Sequence, residues 1–482
     1  MLAPHLTHGL KLCTDLLEAL RLGKINFAHW KGNMHLLDSL TGKTDVELLI
    51  KPEDRAAFEE VMEALHFKQA ESPSWSRYPH VEDWLGFDEE TGSLLHLHTH
   101  YSLVISTAYG RYAHLPWLEQ FFNHLTIDEV TGWPIPEPEM ELLILLIRLQ
   151  VKGNSTEYQL SQVHEEKMSE LLALLKRTDA GRLADCCEAL GLQAPEDMEA
   201  RIASLLQHEN LKAAIALSGF FYQQLPASIK EATSRHSFQS LYYKYYLKTL
   251  KYYKPFIAPV RLKKRIVSGG KVIAFVGSDG SGKSTLCRDI TTWLTYKIDT
   301  HYFYLGKQPF IKSYNTRLLS LTDQMAGQSF TSRLLRRMMG DFYHLIIIRQ
   351  KAQMLRLARH FSNQGSIIIC DRLPQKEVFG FNDGPRLQHS KQRQLAQLEI
   401  TYFEQALQTS ADVIFRLHVS PQVAHQRKPE HNLKDIERKC ESIKAIRYSA
   451  ATVIDINADA PYNEVLLEVK RSLWQSFITN ER

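Results

Sequence analysis

Cysteine is scarce and unpatterned in this chain: six in 482 residues, at 13, 186, 187, 287, 370 and 440, with no C-x-x-C pair and no framework spacing. That excludes a disulfide-stapled scaffold and a cysteine-built zinc site, and it fits a reducing cytoplasm. Long apolar runs are missing too. The greasiest stretch, Leu142-Leu-Ile-Leu-Leu-Ile147, is closed by Arg148 and falls short of the roughly eighteen residues a spanning helix needs, so it reads as a buried helix. The first residues lack a charged region followed by an apolar core, which argues against a leader peptide. Nor does one charge dominate: 58 Lys+Arg against 54 Asp+Glu leaves +4, which by itself implies no polyanionic partner. Internal repeats and low-complexity tracts are not evident.

What remains is an ordinary globular composition, 44% hydrophobic and 23% charged, in a chain too long for one core, so two or three domains are expected. One stretch stands out chemically. Gly277-Ser278-Asp279-Gly280-Ser281-Gly282-Lys283-Ser284 fits G-x-x-x-x-G-K-[ST], with an apolar strand over 271–276 before it and a helix from Thr285 to Leu294 after it. Glycines at 277, 280 and 282 are expected to take positive φ and let backbone N–H groups wrap an anion at a helix N-terminus. In that arrangement Lys283 reaches the β- and γ-phosphates of a nucleotide and the Ser284 hydroxyl ligates Mg²⁺.

From Lys271 onward, strands at 301–305, 366–370, 413–418 and 453–456 alternate with helical patterns such as Leu395, Leu398, Tyr402 and Ala406. The alternation predicts an α/β fold, a doubly wound parallel sheet with nucleotide at the carboxyl ends of its strands. Residues 1–125 mix helix and strand, including strands at 46–50 and 94–98, and read as an α+β domain. Residues 126–266 read as a helical extension ending in a basic linker, and 267–482 as the P-loop domain. Within that linker, 235–266 carries nine Lys or Arg, no Asp or Glu, and eight Tyr or Phe. Such a segment is compatible with nucleic acid or an anionic membrane surface; the favoured reading is an interdomain helix whose tyrosines pack while its lysines face water.

Asp371-Arg372 closes the 366–370 strand. In a P-loop enzyme an acid there serves the metal or the attacking oxygen, and an adjacent arginine clamps a phosphate. The segment from about 271 to 478 resembles the thymidylate kinase family of nucleoside monophosphate kinases, matching its G-x-D-G-x-G-K-S-T loop through Thr285 and its strand-end Asp-Arg. The resemblance implies ATP as donor, Mg²⁺ at Ser284 and Asp371, Asp279 on the acceptor's sugar hydroxyl, and Arg372 on the acceptor phosphate. It also implies an arginine-bearing lid, for which Arg427 is the first candidate, then Lys428 and Arg438, an adenine site near Asn457-Ala458, and a homodimer. Two departures are plain. Leu305-Gly-Lys-Gln-Pro-Phe310 stands where the family has an Arg-Glu-Pro-Gly-Gly-Thr-like segment, and Leu373-Pro374, followed by 379–385, replaces its tyrosine after Asp-Arg. The acceptor, dTMP or another small phosphorylated or hydroxylated molecule, therefore stays open.

Near the N-terminus, Lys31-Gly32, then Asp45-Val-Glu47, then His96-Leu-His98-Thr-His100 resembles a divergent nucleotidyltransferase family over about 20–110. Asp45 and Glu47 alternate onto one face and can hold a metal pair, but His96 stands where a third acid is expected. The three histidines share a face of their own, which suits a transition metal or simple packing. Three functions are thus open: a P-loop kinase, a nucleotidyltransferase at Asp45/Glu47 regulated by that kinase module, and an ATP-gated nucleic-acid or membrane adaptor.

Overall fold

A computed structural model describes residues 9–106, 111–153, 160–209, 211–233, 263–306, 330–380, 383–387, 393–408, 411–448 and 452–478, with Tyr242, Tyr245, Tyr246 and Thr249. Most of the basic 235–266 segment, and residues 307–310 and 381–382 of the two departures above, lie outside the described residues. The chain divides into two compact units, 1–264 and 265–482. Among the described residues no helix is long and apolar enough to cross a membrane.

The first unit is built on a mixed sheet whose strands run β1 (Phe27–His29), β2 (Val46–Ile50), β5 (Ser93–His100), β4 (Val81–Asp88), β3 (Lys68–Glu71) across its width. β2 pairs parallel with β5, and β4 antiparallel with it. The apolar strand at 46–50 was legible; β4 was not, because Glu82, Asp83 and Gly86 disguise it. Gly86 is there for space: a Cβ would come within 2.5 Å of the Phe67 ring. Helices α1 (Lys11–Leu22), α2 (Leu36–Leu40) and α3 (Arg55–Ala64) accompany this sheet, and two hairpins, β6 (Leu103–Ser106) with β7 (Tyr112–Leu115) and β8 (Leu125–Ile127) with β9 (Pro134–Pro136), follow it. Helix α4 (Leu118–Asn123) lies between the two hairpins, and after β9 the regular elements among the described residues of this unit are helices: α5 (Pro138–Gly153), α6 (Leu160–Leu175), α7 (Ala180–Ala189), α8 (Met198–His208), α9 (Leu211–Gln223) and α10 (Ala227–Thr233). The helices share a core with strand residues: Leu142 to Ile147 pack in one cluster with Trp30, Leu49 and Leu103.

The second unit is a five-stranded parallel sheet, in order β11 (Thr300–Tyr304), β12 (Ile367–Asp371), β10 (Lys271–Gly277), β13 (Val413–His418), β14 (Thr452–Asn457). The central strand is buried on both faces. Val272, Ala274 and Val276 share a core with Ile348, Leu355 and Phe361 of the long helix α12 (Phe330–Asn363), while Ile273 and Phe275 are just as buried on the other side. Near-continuous apolar strands are what a parallel sheet covered on both faces requires. Among the described residues the other helices are α11 (Lys283–Thr295), α13 (Arg393–Gln408), α14 (Pro421–Arg427), α15 (Leu433–Ala445) and α16 (Tyr462–Ile478). Chain connections leave β10 toward one edge and β13 toward the other, so the crevice at their carboxyl ends is where such a sheet binds ligands.

One buried acid ties helix to turn in the first unit. Glu141 of α5 accepts the Asn33 N–H at 3.0 Å, just after Lys31-Gly32, and its carboxyl is pushed up to about 7, since burial, with Glu170 nearby, outweighs the Asn33 hydrogen bonds. Between the ordinary value of 4.5 and about 7 the folded chain keeps a proton the unfolded chain has released, so stability falls as pH rises through that window and is level above it. Glu141→Gln keeps the acceptor oxygen without the charge. Urea denaturation across the window is expected to show a flatter slope in this variant and about 1–3 kcal/mol more stability at neutral pH; an unaltered slope would contradict the buried acid.

Candidate active site

β10 ends in the phosphate loop, and α11 begins at Lys283 directly after Gly282. Gly280 and Gly282 take left-handed φ of 83° and 86°. Gly280 also needs its bare Cα, because a Cβ would lie 2.6 Å from the Ala424 carbonyl oxygen. Gly277 corrects the expectation drawn from sequence: it is not among the positive-φ glycines and simply completes the strand. Its constraint is spatial, with a Cβ falling 2.7 Å from Ser281 Oγ and 3.0 Å from the Leu417 carbonyl oxygen.

Lys283 is buried, and its Nζ donates to the Ser278 carbonyl at 2.6 Å and to Ser281 Oγ at 3.4 Å. Burial, then the Arg372 guanidinium, push this ammonium down to about 8 against the pull of Asp279, Asp371 and Asp383. Ser284 and Thr285 are exposed on the first turn of α11.

Parallel pairing sets Asp371 level with Phe275 of β10. Asp371 is fully buried. Its Oδ2 accepts the Tyr302 hydroxyl at 2.9 Å, and its Oδ1 is buried with no hydrogen-bond partner among the described residues. Such an atom costs about 1–3 kcal/mol if it stays unsatisfied. Arg372 holds φ at 83°, an unusual conformation for a side-chain-bearing residue. Its N–H still donates to the Phe275 carbonyl at 3.0 Å, so the turn redirects the side chain without breaking the ladder. The guanidinium reaches Asp383 at 3.5 Å, and Asp383 is held by Lys351 at 2.6 Å. Burial works against the Asp383 charge, but Lys351 and Arg372 keep its carboxyl below the usual range.

These groups open onto a cleft of about 590 Å³, whose lining includes Asp279, Arg372, Asp383, Lys428, His431 and Lys439. Tyr304, Ile348 and Phe403 give it an apolar flank. Asp279 pairs with Lys439 of α15 at 2.6 Å; burial opposes its charge, and the Lys439 bond holds its carboxyl below the ordinary range all the same. Arg427, the last residue of α14, donates to the Gly280 carbonyl at 3.3 Å and the Ala458 carbonyl at 3.0 Å. It thereby ties the phosphate loop to the Asn457-Ala458 connection, and it is not among the cleft-lining residues, whereas Lys428 is. Sequence reading missed Lys351, Asp383, Arg386, Glu399 and Lys439. The one local signal was Gln375, whose side-chain Oε1 accepts the N–H groups of Glu377 and Val378 at 2.8 Å each, marking a built turn after Asp371-Arg372. Glu399 of α13 takes the N–H groups of Arg386 and Leu387, which fixes that turn's far end.

The first unit carries a second cluster. Register across its sheet lines up Glu47 of β2, His98 of β5 and Asp83 of β4 in one row. His96, where a third acid was expected, lies between two acids, 2.9 Å from Asp45 and 2.9 Å from Asp83. Burial disfavours its charge, but the two carboxylates raise its pKa above the ordinary histidine value. Asp83 also meets Lys264 at 3.0 Å and Ser72 Oγ at 2.6 Å. Lys31 Nζ is 3.0 Å from Glu47 Oε2 and 3.5 Å from His100 Nε2, and burial pushes the ammonium down to about 8 although Glu47 supports it.

No family model matches the chain. The curated relatives it resembles include the uncharacterized ATP-binding protein YghR of Escherichia coli strain K12, 28% identical over 227 residues, covering 44% of this chain and 90% of that one. YghS of the same strain, also an uncharacterized ATP-binding protein, is 28% identical over 218 residues, with 42% and 92% covered. Similar solved structures include a thymidylate kinase from Ehrlichia chaffeensis, 19% identical with a TM-score of 0.24, covering 42% of this chain and 99% of that one. A deoxyadenosine kinase from M. mycoides, 15% identical with a TM-score of 0.27, covers 42% and 99%.

Arg372 offers a direct check of the strand-end geometry. Glycine and alanine at 372 both delete the guanidinium, but only alanine retains the cost of a left-handed φ. Arg372→Gly is expected to be about 1 kcal/mol more stable than Arg372→Ala in urea denaturation; equal stabilities would refute the strained turn.

Proposed function

We propose that the second unit is an ATP- and Mg²⁺-dependent phosphotransferase of the thymidylate kinase type, moving the γ-phosphoryl group to a nucleoside monophosphate such as dTMP or to a related small acceptor. The observation that carries this reading is the buried Asp371 Oδ1, without a hydrogen-bond partner among the described residues, one strand away from a G-x-x-x-x-G-K-S loop. An all-oxygen donor set, with the exposed Ser284 hydroxyl on α11, fits a hard cation rather than a soft one. When bound there, Mg²⁺ would neutralise charge on the transferring phosphoryl oxygens.

The chain's own residues do the rest. Backbone N–H groups of the loop and the α11 N-terminus receive phosphate oxygens. Lys283 bonds only a carbonyl and a hydroxyl among the described residues, which leaves its charge to be answered by the β- and γ-phosphates. Arg372 faces the cleft, where Lys351, Arg386, Lys428 and Lys439 outnumber the carboxylates of Asp279, Asp383 and Glu399; the balance supports an anionic acceptor. Arg427, the lid candidate, acts in this reading by bracing Gly280 against Ala458, and Lys428 with Lys439 supplies the cationic wall. Catalysis then rests on positioning and electrostatic stabilisation.

A second reading keeps the first unit as a nucleotidyltransferase at Asp45/Glu47, favoured by Asp83 adding a third carboxylate on the same sheet face. Incorporation of an α-phosphate label into product would select it over the kinase reading.

Lys283→Ala is expected to lower phosphoryl transfer by at least about 100-fold while leaving the circular dichroism spectrum unchanged. The measurement is ATP consumption against a panel of dTMP, other nucleoside monophosphates and sugars. Turnover equal to wild type in a folded variant would remove the assignment.

A further inference from the structure

Glu47, His98 and His100 each present one ligand atom, and those atoms lie within 4.8 Å of one another. Nothing in the kinase chemistry uses them. We propose that these three side chains form a mononuclear site for a divalent transition metal such as Zn²⁺ or Co²⁺, guarded by the Lys31 ammonium as a built-in competing cation.

Strand geometry assembles the site from backbone register alone. Parallel pairing sets Glu47 opposite His98, and His100, two residues along β5, returns to the same face. His98 Nδ1 is 3.1 Å and His100 Nε2 3.2 Å from Glu47 Oε2. A tetrahedral ion with bonds of about 2.0–2.2 Å separates its ligand atoms by roughly 3.3–3.6 Å, so the two distances to Glu47 need only a slight expansion. Two imidazoles and one carboxylate are a donor set that favours zinc-like ions over Mg²⁺ or Ca²⁺. Asp83 lies 3.9 Å from the other nitrogen of His98, in the place where carboxylates orient metal-bound histidines. Access exists from one side: the His98 and Glu47 side chains are 23% and 25% exposed, while His100 is 2% exposed.

The site is distinct from a carboxylate-pair site for nucleotidyl transfer, since Asp45 faces His96 at 2.9 Å and is not one of the three ligands. Lys31 is the discriminating residue. Its Nζ contacts two of the three ligand atoms, Glu47 Oε2 and His100 Nε2, so a metal ion must displace it, and removing the ammonium should favour the metal. An ordinary ion-pair cluster makes the opposite demand: without Lys31 it only loses a partner.

The test is titration of the tag-free, chelator-treated full chain with Co²⁺, read by visible ligand-field absorption, and with Zn²⁺ by competition. One equivalent is expected to bind. The His98→Ala/His100→Ala variant should lose roughly 100-fold in affinity, and Lys31→Met should gain roughly tenfold. Mg²⁺ should not compete. Circular dichroism establishes that each variant is folded. No stoichiometric binding to wild type and Lys31→Met, binding unaffected by loss of the two histidines, or weaker binding in Lys31→Met would each overturn the proposal.

Discussion

Parallel pairing of Lys271–Gly277 with Ile367–Asp371 decides where charge can sit in the second unit. Both strands are buried along their length and apolar through their middles, and Asp371 closes β12 opposite Phe275, two residues before β10 ends at Gly277. The loop's amides and the Asp371 carboxylate therefore emerge at one edge, one strand spacing apart, with an apolar sheet behind them. A medium of low effective dielectric on that side strengthens every interaction on the other. Gly280 adds a steric condition, since its backbone lies against Ala424 and leaves no room for a Cβ. Loop and α14 are thus seated together, and Arg427 fastens the pair from outside.

Arg372 shows how the strand end converts order into function. A left-handed residue there costs of order 1–3 kcal/mol and persists only where neighbours over-determine it. Here the Phe275 carbonyl fixes its N–H, and the Asp383–Lys351 pair receives its guanidinium. Asp383 also has a positive φ, 62°. Two unusual backbone positions, joined by a charge pair, hold the cationic side chain at the cleft lining. A relaxed strand end would let Arg372 alternate toward the next layer of the sheet.

Local chemistry explains what was legible from sequence. The loop, its flanking strand and helix, the four later strands of the sheet and the Asp371-Arg372 step all announce themselves within a few residues, and the observed elements begin or end within about two positions of the expected ones. The cleft's lysines do not. Lys439 meets Asp279 across 160 positions and Lys351 meets Asp383 across 32, and neither lysine looks different from a solvated helix residue. β4 was hidden for the opposite reason: its polar Asp83 and small Gly86 are explained by what they face, His96 and Phe67, and not by their neighbours in sequence. The alternating histidines of β5 could be seen, but alternation alone could not choose between packing and ligation; the register with β2 is what brings Glu47 to them.

The two units hold a lysine beside a glycine in contrasting ways, half-buried at Lys31 and buried at Lys283. Lys31 and Lys283 are each pushed down to about 8 by burial. Lys31 has a carboxylate in contact, Glu47 at 3.0 Å, so its charge is answered within the protein and its role is to neutralise. Lys283 makes no carboxylate contact among the described residues, only a carbonyl and a hydroxyl of its own loop. A buried ammonium with neutral partners is costly, and the cost falls when an anion arrives. Aspartates 279, 371 and 383 lie near enough to support the charge from a distance without occupying the space beside it. That separation leaves the lysine's charge open to an incoming anion, which in the proposed kinase reading is phosphate; a direct ion pair of the Lys31–Glu47 kind would prevent it.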